Sequence, residues 1–130
     1  MLCRDAEACY WIGRYVERAE ATARMVDVHY HTSLESLETL GSIGWQPILA
    51  ISGNSFDYAA RYGKETDRDV LNFFAFDEKN PDSILSTWTS ARENARSIRE
   101  LIASEMWEAI NVSYLELREW NVDRILRTSP

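Results

Sequence analysis

The stretch "GRYVERAEATAR", residues 13–24, decides the fold of this chain. No proline interrupts it, and its apolar residues recur at the three- and four-residue spacing of an α-helix. At about 100° per residue, Arg14 and Arg18 share one band of that helix with Trp11, Ala21 and Met25. Arginine keeps its charge when buried, so we expect these guanidinium groups to meet carboxylates inside the protein.

The helix extends well beyond this stretch in both directions. No proline occurs between Cys3 and Leu40, and Gly41 stands where a C-terminal cap belongs, which predicts one long helix over about residues 3–40. A second apolar band faces away from the arginines and contains Ile12, Tyr15, Val16, Ala19, Ala23, Val26 and Tyr30. A helix that is apolar on two sides is expected to be buried between neighbouring elements.

The remaining sequence predicts further helices. Three short ones are expected in "WQPILAIS", "SFDYAARYG" and "TDRDVLNFFAF", where Thr66 and Asp69 resemble a capping box. Asn80 and Pro81 form a helix start, and a second long helix is expected from Pro81 to about Arg118. The predicted fold class is all-α: a helical bundle of two long antiparallel helices with short helices packed across them.

The second long helix repeats the mixture of arginine and apolar residues. Its stripe contains Leu85, Trp88, Arg92, Ala95, Arg96, Arg99, Ala103, Met106 and Ile110, with Glu93 and Glu100 to one side. Two interpretations fit both helices: an interhelical lattice of Arg–Glu ion pairs, or a cleft that receives a carboxylate or phosphate. The candidate anion- or partner-binding residues are Glu7, Arg14, Glu17, Arg18, Arg92, Glu93, Arg96 and Arg99.

Composition excludes several classes of function. The 130 residues suit one domain, and the net charge of -7 argues against nonspecific binding to nucleic acid or to anionic lipid. The longest uncharged run, residues 39–56, contains Gly41, Gly44, Pro47 and Gly53, which argues against a membrane span.

Catalytic and metal-binding patterns are weak. Glutamates interleaved with arginines are held ionised, which does not suit acid–base work, so no catalytic residue is assigned. His29 and His31 point in different directions on a helix, and no metal site or cofactor is expected. Cys3 and Cys9 lie on different helix faces, so we expect free thiols in a reducing, cytoplasmic compartment.

Several motifs in order resemble the alpha-E family of bacterial helical proteins. They are "YWIGRYVERAEATARMVDV", then "W.PILAISG" and "VLNFFAFD", and finally "NPDSILSTWTSARENARSIRELIASEMWEAIN". The family's Glu-Arg motif corresponds here to Glu17 and Arg18. Its other motif positions correspond to Arg92, Glu93, Asn94, Arg96, Glu105, Trp107, Glu108 and Asn111.

The resemblance implies an all-helical protein of about twice this length, with a second Glu-Arg segment. That agrees with Ser129-Pro130, which has the form of a helix start, so residues 1–130 are expected to be a single alpha-E-type domain at the N-terminal end of a longer protein. Family members resemble partners of ATP-grasp-type and transglutaminase-like enzymes. Peptide ligation or modification is the function expected of such systems.

Three hypotheses follow for the function. The first is a non-enzymatic partner or scaffold for such an enzyme. The second is an enzyme or half-site that binds a carboxylate or phosphate between Arg14, Arg18, Arg92, Arg96 and Arg99. The third is a homo-oligomer in which another copy takes the place of the missing half.

Overall fold

The computed structural model describes residues 3–36, 44–64 and 66–128, and these fold into helices without a strand. The long helix α1 spans Cys3–Ser36, and the short helices α2, α3 and α4 span Gln46–Ile51, Ser55–Arg61 and Asp67–Ala75. They are followed by α5 (Ile84–Ser97), α6 (Ser104–Glu119) and α7 (Val122–Thr128). The all-α prediction is therefore confirmed. The predicted end of α1 near Leu40 and its Gly41 cap lie outside the described residues.

Helices α1 and α5 form the main packing pair and run antiparallel. Ile12, near the start of α1, shares a core cluster with Ala95 and Ile98 at the end of α5. Further along α1, Arg18 approaches Asp82, just before α5 begins. The buried face of α1 carries Ile12, Ala19 and Val26, which belong to the second apolar band. Ile12 packs against α5, whereas Val26 packs against α2, α3, α4 and α7.

The predicted burial of the arginine band is wrong. The side chains of Arg14 and Arg18 are 51% and 40% exposed, and that of Arg96 is 64% exposed. The side of α1 that is buried is the opposite band, with Ile12, Ala19 and Val26, so the arginine charges stay in water. The interhelical Arg–Glu lattice is thus replaced by an apolar interface.

The second long helix is shorter than predicted and broken. Residues 98–103 leave the helix: a single 3-10 turn spans Arg99–Leu101, and Ile102 and Ala103 are extended. Helix α6 then folds back on α5, so that Trp107 and Ile110 join Ile98 in one core cluster. Burial of these three side chains favours the break over a continuous helix. The predicted nine-residue stripe therefore does not exist as one surface.

The start of α5 also differs from the prediction. Ser83 is its N-cap, and the Ser83 hydroxyl accepts a hydrogen bond from the Ser86 amide at 3.1 Å. Asn80 is buried instead, where its side-chain amide donates to the Phe73 carbonyl at 2.9 Å and its carbonyl accepts from the Asp82 amide at 3.1 Å. Asn80 thus ties the loop to α4 rather than capping a helix.

The short helices match their predictions. The Thr66 hydroxyl caps α4 by accepting from the Asp69 amide at 3.1 Å. Val70, Phe73 and Phe74, spaced i, i+3, i+4, are all buried in a second core cluster with Val26 of α1. Helix α7 was not predicted, and it completes this cluster through Val122.

Candidate functional site

The candidate site lies on the outer face of α1, where charged residues line an open cleft of about 420 Å³. Helical periodicity places the residues there: positions 14, 17, 18, 21 and 24 fall on one side of the helix, opposite the buried band. The lining residues are Arg14, Glu17, Arg18, Glu20, Ala21 and Arg24. Three of them, Arg14, Glu17 and Arg18, are candidates predicted from the sequence, and the structure brings these three together.

The arginines of this cleft differ in how fully they are paired. Arg24 donates to the Glu20 carboxylate at 2.6 Å, which is a short charge-assisted hydrogen bond. Arg14 lies 3.6 Å from Glu17, and Arg18 lies 3.7 Å from Asp82. These two separations exceed hydrogen-bond length, so both guanidinium groups keep N–H donors for another acceptor.

Arg18 lies where two clefts meet. The second cleft, also of about 420 Å³, is lined by Arg18, Ala21, Thr22, Met25, Ser52, Asn54, Phe74 and Asp82. This second cleft lies between α1, the turn after α2 and the loop before α5. The sequence does not predict Asp82 as a neighbour of Arg18, because that contact is made only when α1 packs on α5.

The predicted site residues on α5 form a separate group. Glu93 accepts from Arg96 at 2.8 Å and from Arg92 at 3.1 Å. The hydrogen bond from Arg96 and the charges of Arg96 and Arg92 hold the pKa of Glu93 below its usual value. An ionised carboxylate between two arginines stabilises the charges of both and is unsuited to donate a proton. No ion pair among the described residues joins this group to Arg14 or Arg18.

Arg92 and Arg99 find partners that the sequence prediction did not include. The Arg92 Nε donates to the Asn111 side-chain carbonyl at 2.8 Å, and its guanidinium lies 4.6 Å from the centre of the Tyr114 ring. Arg99 lies 5.0 Å from the centre of the Trp107 ring. These cation–π contacts hold α6 against α5 and the 3-10 turn that follows it. They assign Arg92 and Arg99 a structural role in the α5–α6 hairpin.

Glu7 is exposed near the start of α1, and among the described residues it forms no ion pair. Its position, about two turns before Arg14, leaves it outside the residues that line the charged cleft. Of the eight predicted residues, the structure therefore groups three on α1 and four on α5 and its following turn, and it separates Glu7 from both groups.

A third polar cluster joins the end of α3 to the segment after α4. The Tyr62 hydroxyl donates to Asp77 at 2.8 Å, and Arg61 pairs with the same carboxylate at 3.0 Å. Burial, and then the hydrogen bond to Asp77, raise the pKa of Tyr62. Asp77 also accepts from the Lys79 amide at 2.9 Å. Both carboxylate oxygens of Asp77 already accept hydrogen bonds within the fold, so the role of this cluster is structural.

Within residues 3–36, 44–64 and 66–128, no group of three or more His, Cys, Asp or Glu side chains could hold a metal ion. None of the helices in that part of the chain has the length and apolar character needed to cross a bilayer. Cys3 and Cys9 are free, as predicted.

A family model that describes a predicted alpha-helical domain with a conserved ER motif matches residues 1–129, nearly the whole chain. No curated protein matches the chain, and no solved structure does.

Proposed function

The chain belongs to the Alpha-E family, and on that basis we propose that it is a non-enzymatic partner module that scaffolds or regulates an enzyme. The resemblance described above implies an ATP-grasp-type or transglutaminase-like enzyme of peptide ligation or modification. In this proposal the ER motif on α1 contacts the partner, and the chain itself performs no bond-making step.

The position of the ER motif is the observation that carries the proposal. Glu-Arg occurs once in the sequence, at Glu17–Arg18, on the outer face of α1, where the Glu17 side chain is 73% exposed and that of Arg18 is 40% exposed. Glu17 pairs with Arg14 and Arg18 with Asp82, and solvent-accessible ion pairs of this kind contribute about 0–1 kcal/mol to stability, which gives folding little need of the motif. A motif that a family keeps on an exposed face is explained best by binding.

Direct binding tests this proposal. The ATP-grasp-type and transglutaminase-like enzymes encoded in the same genome would be purified, and each would be titrated into the immobilised protein. We expect one of them to bind, and Arg18→Gln to weaken that binding at least about tenfold, since a lost charge-assisted contact corresponds to about 1.5–3 kcal/mol. Arg4→Gln is the matched control, because Arg4 is exposed on the same helix outside the cleft.

Two results would contradict the proposal. One is that neither enzyme binds a protein whose circular dichroism shows that it is folded. The other is that an enzyme binds wild type and Arg18→Gln equally well, which would place the partner surface away from the ER motif.

A second candidate function is binding of a small carboxylate or phosphate in the charged cleft. The observation that favours it is the pair of incompletely bonded guanidinium groups of Arg14 and Arg18, four residues apart on one helix face. Like charges at this spacing repel each other, and an anion between them removes that repulsion.

Nuclear magnetic resonance distinguishes this second function from the first. Inorganic phosphate and glutarate would be titrated into the protein while the side-chain Nε–Hε signals of the arginines are followed. Saturable shifts of Arg14 and Arg18, without shifts of Arg4, would support an anion site. Linear, unsaturated shifts of all exposed arginines would exclude it.

A further inference from the structure

The second cleft carries opposite charges on two of its walls. Arg18 belongs to α1 and Asp82 to the loop before α5, and their charged groups approach to 3.7 Å. That distance exceeds hydrogen-bond length, so the guanidinium keeps N–H donors and the carboxylate keeps acceptors for a third group. The two side chains are 40% and 50% exposed, which leaves both of them open to a ligand.

The floor of the second cleft is apolar. Phe74 is 2% exposed, and Met25 is partly buried where it packs against the same core cluster. Both side chains line the cleft, whose volume of about 420 Å³ is sufficient for a small organic molecule. A hydrocarbon group laid on this floor is removed from water, which favours its binding.

Asn54 provides a separate indication of a ligand. The residue is only 8% exposed, yet it lines the second cleft. Its side-chain nitrogen donates to the Ser52 hydroxyl at 3.0 Å, whereas no described residue donates to its side-chain oxygen. Every fully buried side-chain nitrogen or oxygen in the described part of the chain has a partner, so this oxygen is open to the cleft. It therefore takes its hydrogen-bond donor from outside the chain.

A ligand with a single charge matches only part of this cleft. A carboxylate or phosphate bound at Arg18 would be repelled by Asp82, and an amine bound at Asp82 would be repelled by Arg18. A molecule with an ammonium and a carboxylate on neighbouring atoms pairs with both side chains at once. Its ammonium has three N–H donors, and the unpaired oxygen of Asn54 is an acceptor for one of them.

We propose that the second cleft is a binding site for a free α-amino acid with an apolar side chain. The α-carboxylate binds Arg18, the α-ammonium binds Asp82 and Asn54, and the side chain lies on Phe74 and Met25. This inference goes beyond the proposed function, because it assigns a small-molecule site that needs no protein partner. It also differs from the anion site considered above, because it requires a positive charge on the ligand.

Three related ligands test the requirement for both charges. L-Leucine, 4-methylpentanoate, which lacks the ammonium, and 3-methylbutylamine, which lacks the carboxylate, would each be titrated into the whole protein at neutral pH. Nuclear magnetic resonance would follow the side-chain amide of Asn54 and the Nε–Hε group of Arg18. We expect saturable shifts of both signals with L-leucine, and binding at least about tenfold tighter than that of either analogue, because each analogue loses a charge-assisted contact.

Glycine tests the apolar floor. It carries both charges but places no side chain on Phe74 and Met25. We expect it to bind at least about fivefold more weakly than L-leucine, because it buries less apolar surface. Equal affinity for glycine and L-leucine would contradict the assignment of the floor.

Two substitutions should change the ligand preference in opposite ways. Asp82→Asn should weaken L-leucine binding at least about tenfold without weakening 4-methylpentanoate, because it removes an attraction for the first and a repulsion for the second. Arg18→Gln should weaken L-leucine and spare 3-methylbutylamine for the same reason. A merely structural role would lower the affinity for all ligands together. The control is Asp27→Asn, at a 71% exposed carboxylate of α1 outside the cleft, which should change none of these affinities.

Any of three results would overturn the inference. They are linear, unsaturated shifts with L-leucine, an analogue that binds as tightly as L-leucine, and an Asp82→Asn variant that keeps the wild-type preference for L-leucine over 4-methylpentanoate. The first two are measured on wild type alone, so they hold even if a variant does not fold. Circular dichroism would establish that each variant is folded.

This inference and the proposed function can fail separately. Enzyme binding that is lost in Arg18→Gln but kept in Asp82→Asn belongs to the ER motif, whereas L-leucine binding requires both side chains. Binding of L-leucine without binding of either enzyme would leave the amino-acid site standing and remove the partner role. Enzyme binding by a protein that does not bind L-leucine would do the reverse.

Discussion

The role of an arginine side chain in this protein depends on the groups that it contacts. Arg92 is 24% exposed and meets an amide oxygen of Asn111 and the ring of Tyr114. Arg18 is 40% exposed, its nearest carboxylate lies 3.7 Å away, and its guanidinium lies 5.8 Å from the centre of the Tyr15 ring. The first side chain is part of a packed interface, and the second remains available to another molecule.

This contrast predicts opposite effects of the same substitution. Arg92→Met should lower the free energy of unfolding by about 1.5–3 kcal/mol, because it removes a charged hydrogen bond and leaves Asn111 without its donor. Arg18→Met should change it by less than about 1 kcal/mol, because its ion pair is solvated and long. Urea unfolding followed by tryptophan fluorescence measures both. A larger loss for Arg18→Met than for Arg92→Met would contradict these assignments.

The candidate residues could be found from sequence, but their environment could not. Helical spacing was enough to place Arg14, Glu17 and Arg18 together, since it depends only on residues within two turns of one helix. The sequence contains two apolar bands on α1, and periodicity does not tell which band faces the core. The buried band proved to be that of Ile12, Ala19 and Val26.

At the scale of the elements, the contact between α1 and α5 depends on small side chains. Ala91 and Ala95 are fully buried, and Ala19 of α1 is 3% exposed. Alanine at a helix crossing lets the two backbones approach closely, and there is no free volume for a longer side chain.

Ala95→Leu should therefore destabilise the protein by about 1–3 kcal/mol through overpacking. The matched control is Ala109→Leu, at an exposed position of α6, which should change stability by less than about 0.5 kcal/mol. Thermal unfolding by circular dichroism compares the two variants. Equal melting temperatures would show that α1 and α5 do not pack closely at Ala95.

The break between α5 and α6 illustrates why one helix was predicted where two exist. Residues 98–103 contain neither glycine nor proline, the usual signals for a helix end. A local signal does exist, since the Ser97 hydroxyl donates to the Asn94 carbonyl at 2.7 Å and competes with the helical hydrogen bonds. Tertiary packing decides where the helix ends, because Ile98 and Trp107 reach one core cluster only if the chain turns between them.

At the scale of the whole molecule, exposed ion pairs predict how stability depends on pH. Hydrogen bonds from Arg68 lower the pKa of Asp123, and those from Arg96 lower the pKa of Glu93. A lowered pKa in the folded state contributes stability above the unfolded-state pKa, about 3.9 for Asp and 4.3 for Glu, and that stability is lost as pH falls further. The protein should thus lose stability between about pH 5 and pH 2.

Replacing both carboxylates tests this expectation. The double variant Glu93→Gln, Asp123→Asn should show a shallower loss of stability in acid than wild type, as measured by urea midpoints at each pH. Glu105→Gln, on the exposed side of α6, serves as the control. If the double variant follows the wild-type curve, these ion pairs do not contribute to stability in solution. Added 1 M salt should reduce the difference.

Among the described residues, two core clusters share no side chain, yet both include residues of α1. Ile12 belongs to one cluster and Val26 to the other, and Glu17–Arg18 falls between them. Local unfolding of either half would leave the middle of α1 supported on one side only, so this segment keeps its packing at both ends only while both halves are folded. A molecule bound at this midpoint would therefore favour concerted unfolding of the two halves over their separate opening.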